Sequence, residues 1–188
     1  MAASHVLTWD VRESKGYETG WVTLGGDRLD ARGRAVGTTP EPYWLSYELD
    51  TGPGFVTRTL RVGVESAAGT RALDLRRSED GAWTVDGRPR PELAGALDCD
   101  LGLCPLTNSM PVLRHGLHAG PGEAAFLMAW VSVPDLAVHT SRQTYTHLRR
   151  TGRGGLVRFT SGDFRRDLEF DTAGLVLGYP DLARRMEV

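Results

Sequence analysis

The sequence predicts a mainly β protein, in which an antiparallel meander curls into a roll or partly open barrel around one short helical segment. Short stretches of alternating apolar and polar residues recur along most of the 188-residue chain, and this period of two is typical of strands. Turn signals such as Asp80-Gly81 and Asp86-Gly87 separate the stretches and favour hairpins. So many strands in one sheet curl or close rather than stay flat, which gives the sheet an inside.

The strands follow in chain order from this alternation. Residues 43–49 are typical, because Tyr43, Leu45, Tyr47 and Leu49 form one apolar face while Trp44 lies on the other. The strand at 125–133 is apolar on both faces, which predicts that both are covered. The full set of predicted strands is 5–13, 17–24, 28–36, 43–49, 55–65, 70–77, 82–86, 125–133, 137–148, 155–160, 164–170 and 174–179.

The segment 97–117, LDCDLGLCPLTNSMPVLRHGL, interrupts the alternation. Asn108 is suited to be a helix N-cap, and Pro111 then falls in the first turn, where a missing N–H costs little. A short helix ending near Gly116 follows. We expect a loop and this helix to pack on or into the curved sheet. The side chains expected to face apolar surface are Leu101, Leu103, Leu106, Met110, Leu113 and Leu117.

Composition narrows the function classes. The length suits a single domain over 1–188, and a formal net charge of −2 does not indicate nucleic-acid binding. The sequence contains no apolar run of 18 residues, so it predicts no transmembrane helix. The first residues lack the features of a secretion signal, so we expect a cytoplasmic protein. Cys99 and Cys104 are then expected to be free thiols, and their spacing makes a poor zinc site. We expect no metal and no cofactor.

Three charged residues share a strand face with apolar ones, namely Glu18, Arg58 and Arg166. A buried charge without a partner is costly, so an inward charge needs a counter-ion or water. In one interpretation Glu18 and an arginine form an internal ion pair that fixes strand register. In the other, these groups line the polar end of a cavity and receive a ligand head group. A β-bulge would move a side chain to the opposite face.

Catalytic motifs are scarce. The sequence contains no G-x-S-x-G and no Gly-rich loop placed to hold phosphate, so we assign no catalytic residue. Cys99 is flanked by Asp98 and Asp100, whose charges make it a poor nucleophile. The two aspartates hint at acid–base chemistry, because neighbouring carboxylates can separate their pKa values. Alternatively, they cap turns in a loop.

Three motifs carry a resemblance to a known family: the 97–117 segment, QTYTHL at 143–148, and LEFDTAGLVLGYPDLARR at 168–185. Together they resemble the family described as "putative glycolipid-binding". Cys104 and Ser109 stand where threonines are usual in its central motif. The resemblance spans nearly the whole chain. It implies a spiral β-roll similar to bacterial lipoprotein carriers, in which a curved sheet wraps around a helical segment.

These observations lead to a functional hypothesis. We expect the roll to bind an amphiphilic small molecule, glycolipid-like or otherwise lipid-like, with its tail in the apolar interior. The expected head-group residues are Glu18, Arg58, Asp98 and Asn108, with Tyr145 behind them. One alternative is a small hydrolase or isomerase that uses Asp98 or Asp100 as its base. Another is a structural or interaction protein with a solid core. The sequence leaves the oligomeric state open.

Overall fold

The computed structural model describes residues 2–187, which form one curled sheet, one α-helix and three short 3-10 turns. The helix, α1, spans Ser109–His115, and the turns span Pro53–Phe55, Pro91–Leu93 and Pro105–Asn108. The strands are β1 (Ala3–Val11), β2 (Gly16–Gly25), β3 (Arg28–Gly37), β4 (Tyr43–Thr51), β5 (Thr57–Ser66), β6 (Gly69–Arg77), β7 (Trp83–Val85), β8 (Arg88–Pro89), β9 (Asp98–Leu101), β10 (Glu123–Val131), β11 (Val138–Thr151), β12 (Gly154–Ser161), β13 (Phe164–Asp171), β14 (Val176–Tyr179) and β15 (Ala183–Arg185).

The predicted fold class is confirmed, and each predicted strand corresponds to an observed one. The alternation missed β8, β9 and β15, which have only two, four and three residues. Such short strands contain too few residues for a period of two to be visible. The strand β9 also pairs in parallel with β10, with Asp98 beside Met128. Parallel strands are not joined by a hairpin turn, so β9 has no turn signal in the sequence.

The sheet order is β8-β7-β6-β5-β4-β3-β2-β1-β15-β14-β13-β12-β11-β10-β9. Two meanders therefore meet in the middle, where β1 pairs with β15 and Trp9 lies beside Arg185. All described strand pairs are antiparallel except β9–β10. Because β8 and β9 remain the two edges, the sheet is curled but not closed into a barrel.

The edge formed by β9 and β10 is tucked inside the roll. On one face of β10, Ala129 and Val131 belong to the large core built mainly by β1–β7. On the other face, Met128 belongs to a second core between α1 and β11–β14. The backbone N–H of Cys99 donates to Oγ1 of Thr57 over 3.0 Å, which fixes β9 against β5. The predicted coverage of both faces of the strand at 125–133 is therefore confirmed for Met128, Ala129 and Val131, whereas Ala125 is exposed.

The 97–117 segment packs into the roll as predicted. Leu101, Leu106, Met110 and Leu117 are buried, while Leu103 and Leu113 are half-buried against the large core. The helix ends at Gly116, which takes the left-handed conformation with φ of 62°. Its seven residues are far too few to span a bilayer, and no described helix is long and apolar enough to do so.

Asn108 occupies the N-cap position of α1, as predicted, but its side chain does not cap the helix. A 3-10 turn leads directly into α1, so Asn108 has helical φ and ψ of −67° and −11° and its side chain makes no capping bond. An N-cap normally needs extended backbone, from which the side chain can reach back to the first free N–H groups. The Asn108 amide is instead directed toward β9 and β11.

Candidate ligand-binding site

A cavity of about 760 Å³ lies at the open end of the C-terminal half of the roll. The inner faces of β10–β14 form one wall, and the loops 102–105 and 38–42 contribute to the other side. Apolar side chains that line it include Leu103, Trp130, Phe159, Phe164, Tyr179 and Leu182. Polar side chains that line it include Asp100, Asn108, Ser141, Gln143 and Ser161. A concave site with this mixture and volume is typical of small-molecule binding.

A depression of comparable volume, about 830 Å³, lies on the outer face of β2–β6. Its lining includes several surface charges, such as Arg61 and Glu48, which form an ion pair of 3.7 Å with both side chains more than half exposed. Pairs of this kind contribute little energy and are ordinary on an outer sheet face. The inner cavity is therefore the candidate site.

A hydrogen-bonded network forms the floor of the inner cavity. Gln143 donates from Nε2 to Oδ2 of Asp100 over 2.6 Å, and Thr107 donates from Oγ1 to Oδ1 over 3.1 Å. The hydroxyl of Tyr145 lies 3.1 Å from Oδ1 of Asn108 and 3.1 Å from Oε1 of Gln143, the acceptors available to its proton. Gln143 and Tyr145 share a face because they are two residues apart on β11.

Asp100 is a half-buried carboxylate whose partners within residues 2–187 are all neutral, so it makes no ion pair there. Burial raises the pKa of Asp100, while the hydrogen bonds from Gln143 and Thr107 oppose that rise. Neutral donors thus replace the cation that would normally accompany a carboxylate in such a place. One more donor or a cation could approach it from the cavity side.

Asp98 points to the same face of β9 but has a different environment. It is fully buried, and both of its oxygens accept from Arg114, with Nη1 at 2.7 Å from Oδ2. Arg114 also donates to the carbonyls of Gly54, over 2.7 Å, and Phe55, over 3.2 Å. Burial raises the pKa of Asp98 and Arg114 opposes the rise. Arg114 thus joins α1 both to Asp98 on β9 and to the 53–55 turn. Asp98 does not line the cavity.

The inward orientation predicted for Glu18 is confirmed, but its predicted arginine partner is not present among the described residues. Its side chain is 0% exposed, Oε1 accepts a 2.6 Å hydrogen bond from the Tyr47 hydroxyl, and Oε2 has no partner in the described chain. Burial raises the pKa of Glu18 to about 8 despite the Tyr47 bond. Glu18 lies in the packed core and not on the cavity wall.

The inward orientation predicted for Arg58 is wrong, because its side chain is exposed. A bulge in the β4–β5 ladder is the cause: Thr59 pairs with Asp50 and Thr57 with Thr51, so Arg58 is the extra residue between two pairs. Thr57 takes the inward position and is 1% exposed. Arg58 therefore does not line the inner cavity, and it is not available as the arginine partner that the ion-pair interpretation requires for Glu18.

Cys99 is a poor nucleophile, as predicted, but burial of its thiol is a stronger cause than the charges of Asp98 and Asp100. Cys99 and Cys104 are both free and buried. Burial raises the pKa of the Cys99 thiol to about 12, with smaller contributions from Asp98 and Asp100. Burial likewise raises the pKa of Cys104, so neither thiol is activated as a nucleophile.

Of the five predicted binding residues, only Asn108 lines the cavity, and Tyr145 is bonded to it from behind. Glu18, Arg58 and Asp98 lie elsewhere. Sequence reasoning missed Gln143, Thr107 and the ring wall formed by Trp130, Phe159, Phe164 and Tyr179. The alternation in QTYTHL places Gln143 on the face of Tyr145 and could have identified it. The ring wall comes from strands distant in sequence and carries no local signal.

Comparisons with known proteins agree with this fold. Residues 6–185 match the model of the family described as "putative glycolipid-binding". A crystal structure of a DUF1089 family protein from Pseudomonas aeruginosa superposes with a TM-score of 0.73 at 30% sequence identity. The match covers 90% of this chain and 92% of that chain. No curated protein matches significantly.

Proposed function

Because the chain belongs to the family described as "putative glycolipid-binding", which supports a ligand-binding role in general, we propose that it binds an amphiphilic small molecule in the inner cavity. The observation that carries the proposal is the floor of that cavity. There Asp100, Asn108 and Gln143 form a hydrogen-bonded group beneath apolar and aromatic walls. Convergent polar groups in an otherwise apolar cavity are the usual features of a binding site.

The apolar walls would hold the ligand's tail. Leu103, Leu182 and the rings of Phe159 and Phe164 offer contact surface along the cavity. Each buried methylene contributes about 0.8 kcal/mol, so a ten-carbon tail could contribute roughly 8 kcal/mol before the entropic cost of association. Burial of the tail would therefore supply most of the affinity.

The polar floor would orient the head group. Tyr145 is fully buried behind Asn108 and Gln143, and its hydroxyl restrains the amide groups of both. Restrained donors and acceptors lose little entropy when a ligand binds, which favours selectivity between head groups. Tyr145 thus acts as a positioning residue in this proposal.

A small hydrolase or isomerase is the second candidate, and the state of Asp100 favours it. Asp98 is not available as a base because both of its oxygens are bonded to Arg114. Asp100 faces the cavity with its pKa raised by burial, as a general acid or base would. Turnover of lipid-like esters or lactones that is lost in Asp100→Asn would identify this activity.

Native mass spectrometry of freshly purified protein tests the binding proposal. We expect an adduct that organic extraction identifies as an amphiphile. Ser161→Phe would fill the cavity from the inner face of β12 and should abolish the adduct, whereas Ser46→Phe on the outer face of β4 should not. An adduct that survives Ser161→Phe would place the ligand elsewhere. Absence of an adduct, together with no binding of added amphiphiles, would contradict the proposal.

A further inference from the structure

The inner cavity is lined by acidic side chains but by no lysine or arginine among the described residues. The chain contains 22 Lys and Arg residues, yet none of them lines the inner cavity in the part of the chain that the structure describes. Asp100 and Glu13 line it with carboxyl groups, and His139 lines it with an imidazole ring. In a chain so rich in arginine, a site for phosphate, sulfate or carboxylate would be expected to contain at least one guanidinium.

Arg166 lies beside Phe164 at the rim of the inner cavity, and its guanidinium group already has partners. Arg166 lies with its guanidinium carbon 4.6 Å from the centre of the Phe164 ring. Its Nε is 3.0 Å from Oδ2 of Asp181. This guanidinium therefore neither lines the inner cavity nor compensates Asp100.

Aromatic rings cover a large part of the cavity wall. The rings of Phe159 and Phe164 have centroids 5.9 Å apart, and the Tyr179 ring lies 5.9 Å from the first and 6.5 Å from the second. Trp130 lines the cavity from β10, beside His139. The faces of such rings attract cations, most strongly where water is excluded, and aromatic enclosures are a common means of recognising quaternary ammonium groups.

Resting on the proposed function, we propose that the ligand of the inner cavity carries a positively charged head group, an ammonium or quaternary ammonium on an apolar tail. Asp100 and Glu13 would supply opposite charge, and the rings of Trp130, Phe159 and Phe164 would supply cation–π contacts. An anionic head group would meet two carboxyl groups and no cation. A neutral sugar could accept and donate hydrogen bonds there but would gain no charge interaction.

Three detergents with the same ten-carbon tail separate the head-group classes: decyltrimethylammonium, decyl sulfate and decyl maltoside. Calorimetric titration below the micelle concentration should show the cation binding at least about tenfold more tightly than the sulfate, a difference of about 1.4 kcal/mol. Binding of the sulfate or the maltoside at least as tightly as the cation would overturn the head-group inference while leaving the proposed function intact. If none of the three binds, the proposed function fails as well.

Single substitutions then test which carboxyl group contacts the cationic head group. Asp100→Asn keeps the side-chain shape but removes the charge, and it should weaken decyltrimethylammonium binding about tenfold and by a larger factor than it weakens decyl maltoside binding. Asp163→Asn removes an exposed carboxylate from the β12–β13 turn and should alter neither. If Asp100→Asn does not fold, Phe164→Leu serves instead, because loss of the ring should weaken the cation more than the maltoside. Equal effects on both detergents would contradict a charge-based site.

Discussion

The hydroxyl of Tyr47 donates a 2.6 Å hydrogen bond to Oε1 of Glu18 inside the packed core of the roll. The two side chains come from β2 and β4, on either side of β3, and Gly33 of β3 pairs with Tyr47. A Cβ at position 33 would lie 2.3 Å from the Tyr47 ring, so glycine makes room for that ring. The carboxyl group is thus held in place by a neutral donor rather than by an arginine.

This relationship predicts that stability falls as pH rises. Burial raises the pKa of Glu18 from 4.5 to about 8, so the folded state retains a proton that the unfolded chain releases. The favourable contribution is complete below about pH 4.5 and is lost by about pH 8, a total of roughly 5 kcal/mol. Urea unfolding at several pH values measures this slope.

Glu18→Gln is the matched control for that measurement. The amide oxygen can still accept from the Tyr47 hydroxyl, and it carries no titrating proton. We expect the free energy of unfolding of Glu18→Gln to fall much less between pH 5 and 8 than that of the parent protein. A variant that retains the slope of the parent protein would assign the pH dependence to other groups.

The Asp98–Arg114 pair predicts a strongly non-additive response. Arg114→Met leaves the Asp98 carboxylate buried without its cation and should lower the free energy of unfolding by about 3–5 kcal/mol. Combining it with Asp98→Asn should recover part of that loss, because the stranded charge is removed. Denaturant unfolding of both single variants and the double variant tests this. Additive losses would mean that the ion pair is not coupled as the geometry indicates.

Tyr145→Phe should affect binding selectivity more than binding itself. Losing the hydroxyl releases the Asn108 and Gln143 amides, which we expect to weaken head-group discrimination by about 1 kcal/mol. The dependence of affinity on tail length should not change, since the ring remains in place. Titrations with amphiphiles that vary separately in head and tail measure the two effects. A loss of tail dependence alone would indicate a packing role.

Arg58→Ala should change neither the stability of the protein nor its ligand binding by much. The side chain is exposed and lies outside the inner cavity, and substitutions at such positions usually change stability by no more than about 0.5 kcal/mol. Ligand binding should be unchanged. A large loss of binding without unfolding would restore Arg58 to the binding site and contradict the orientation that the β4–β5 bulge imposes.

The sequence by itself determined twelve of the fifteen strands, the interruption at 97–117, the helix ending at Gly116 and the inward position of Glu18. These follow from local rules: side chains alternate along a strand, and glycine readily adopts the left-handed conformation. The alternation rule gave the wrong face for Arg58, because a bulge adds one residue and moves the side chain to the opposite face. The position of a bulge depends on how two strands pair, so the alternation does not reveal it.

Only the tertiary structure decided which polar residues meet. Asp98 and Asp100 are equivalent in the sequence, but one faces Arg114 and the other faces Gln143 across the sheet. The cavity wall likewise combines Trp130, Phe159 and Tyr179 from three separate strands. Contacts of this kind depend on the curl of the sheet, and that curl is set by packing among residues far apart in the chain. No local pattern encodes them.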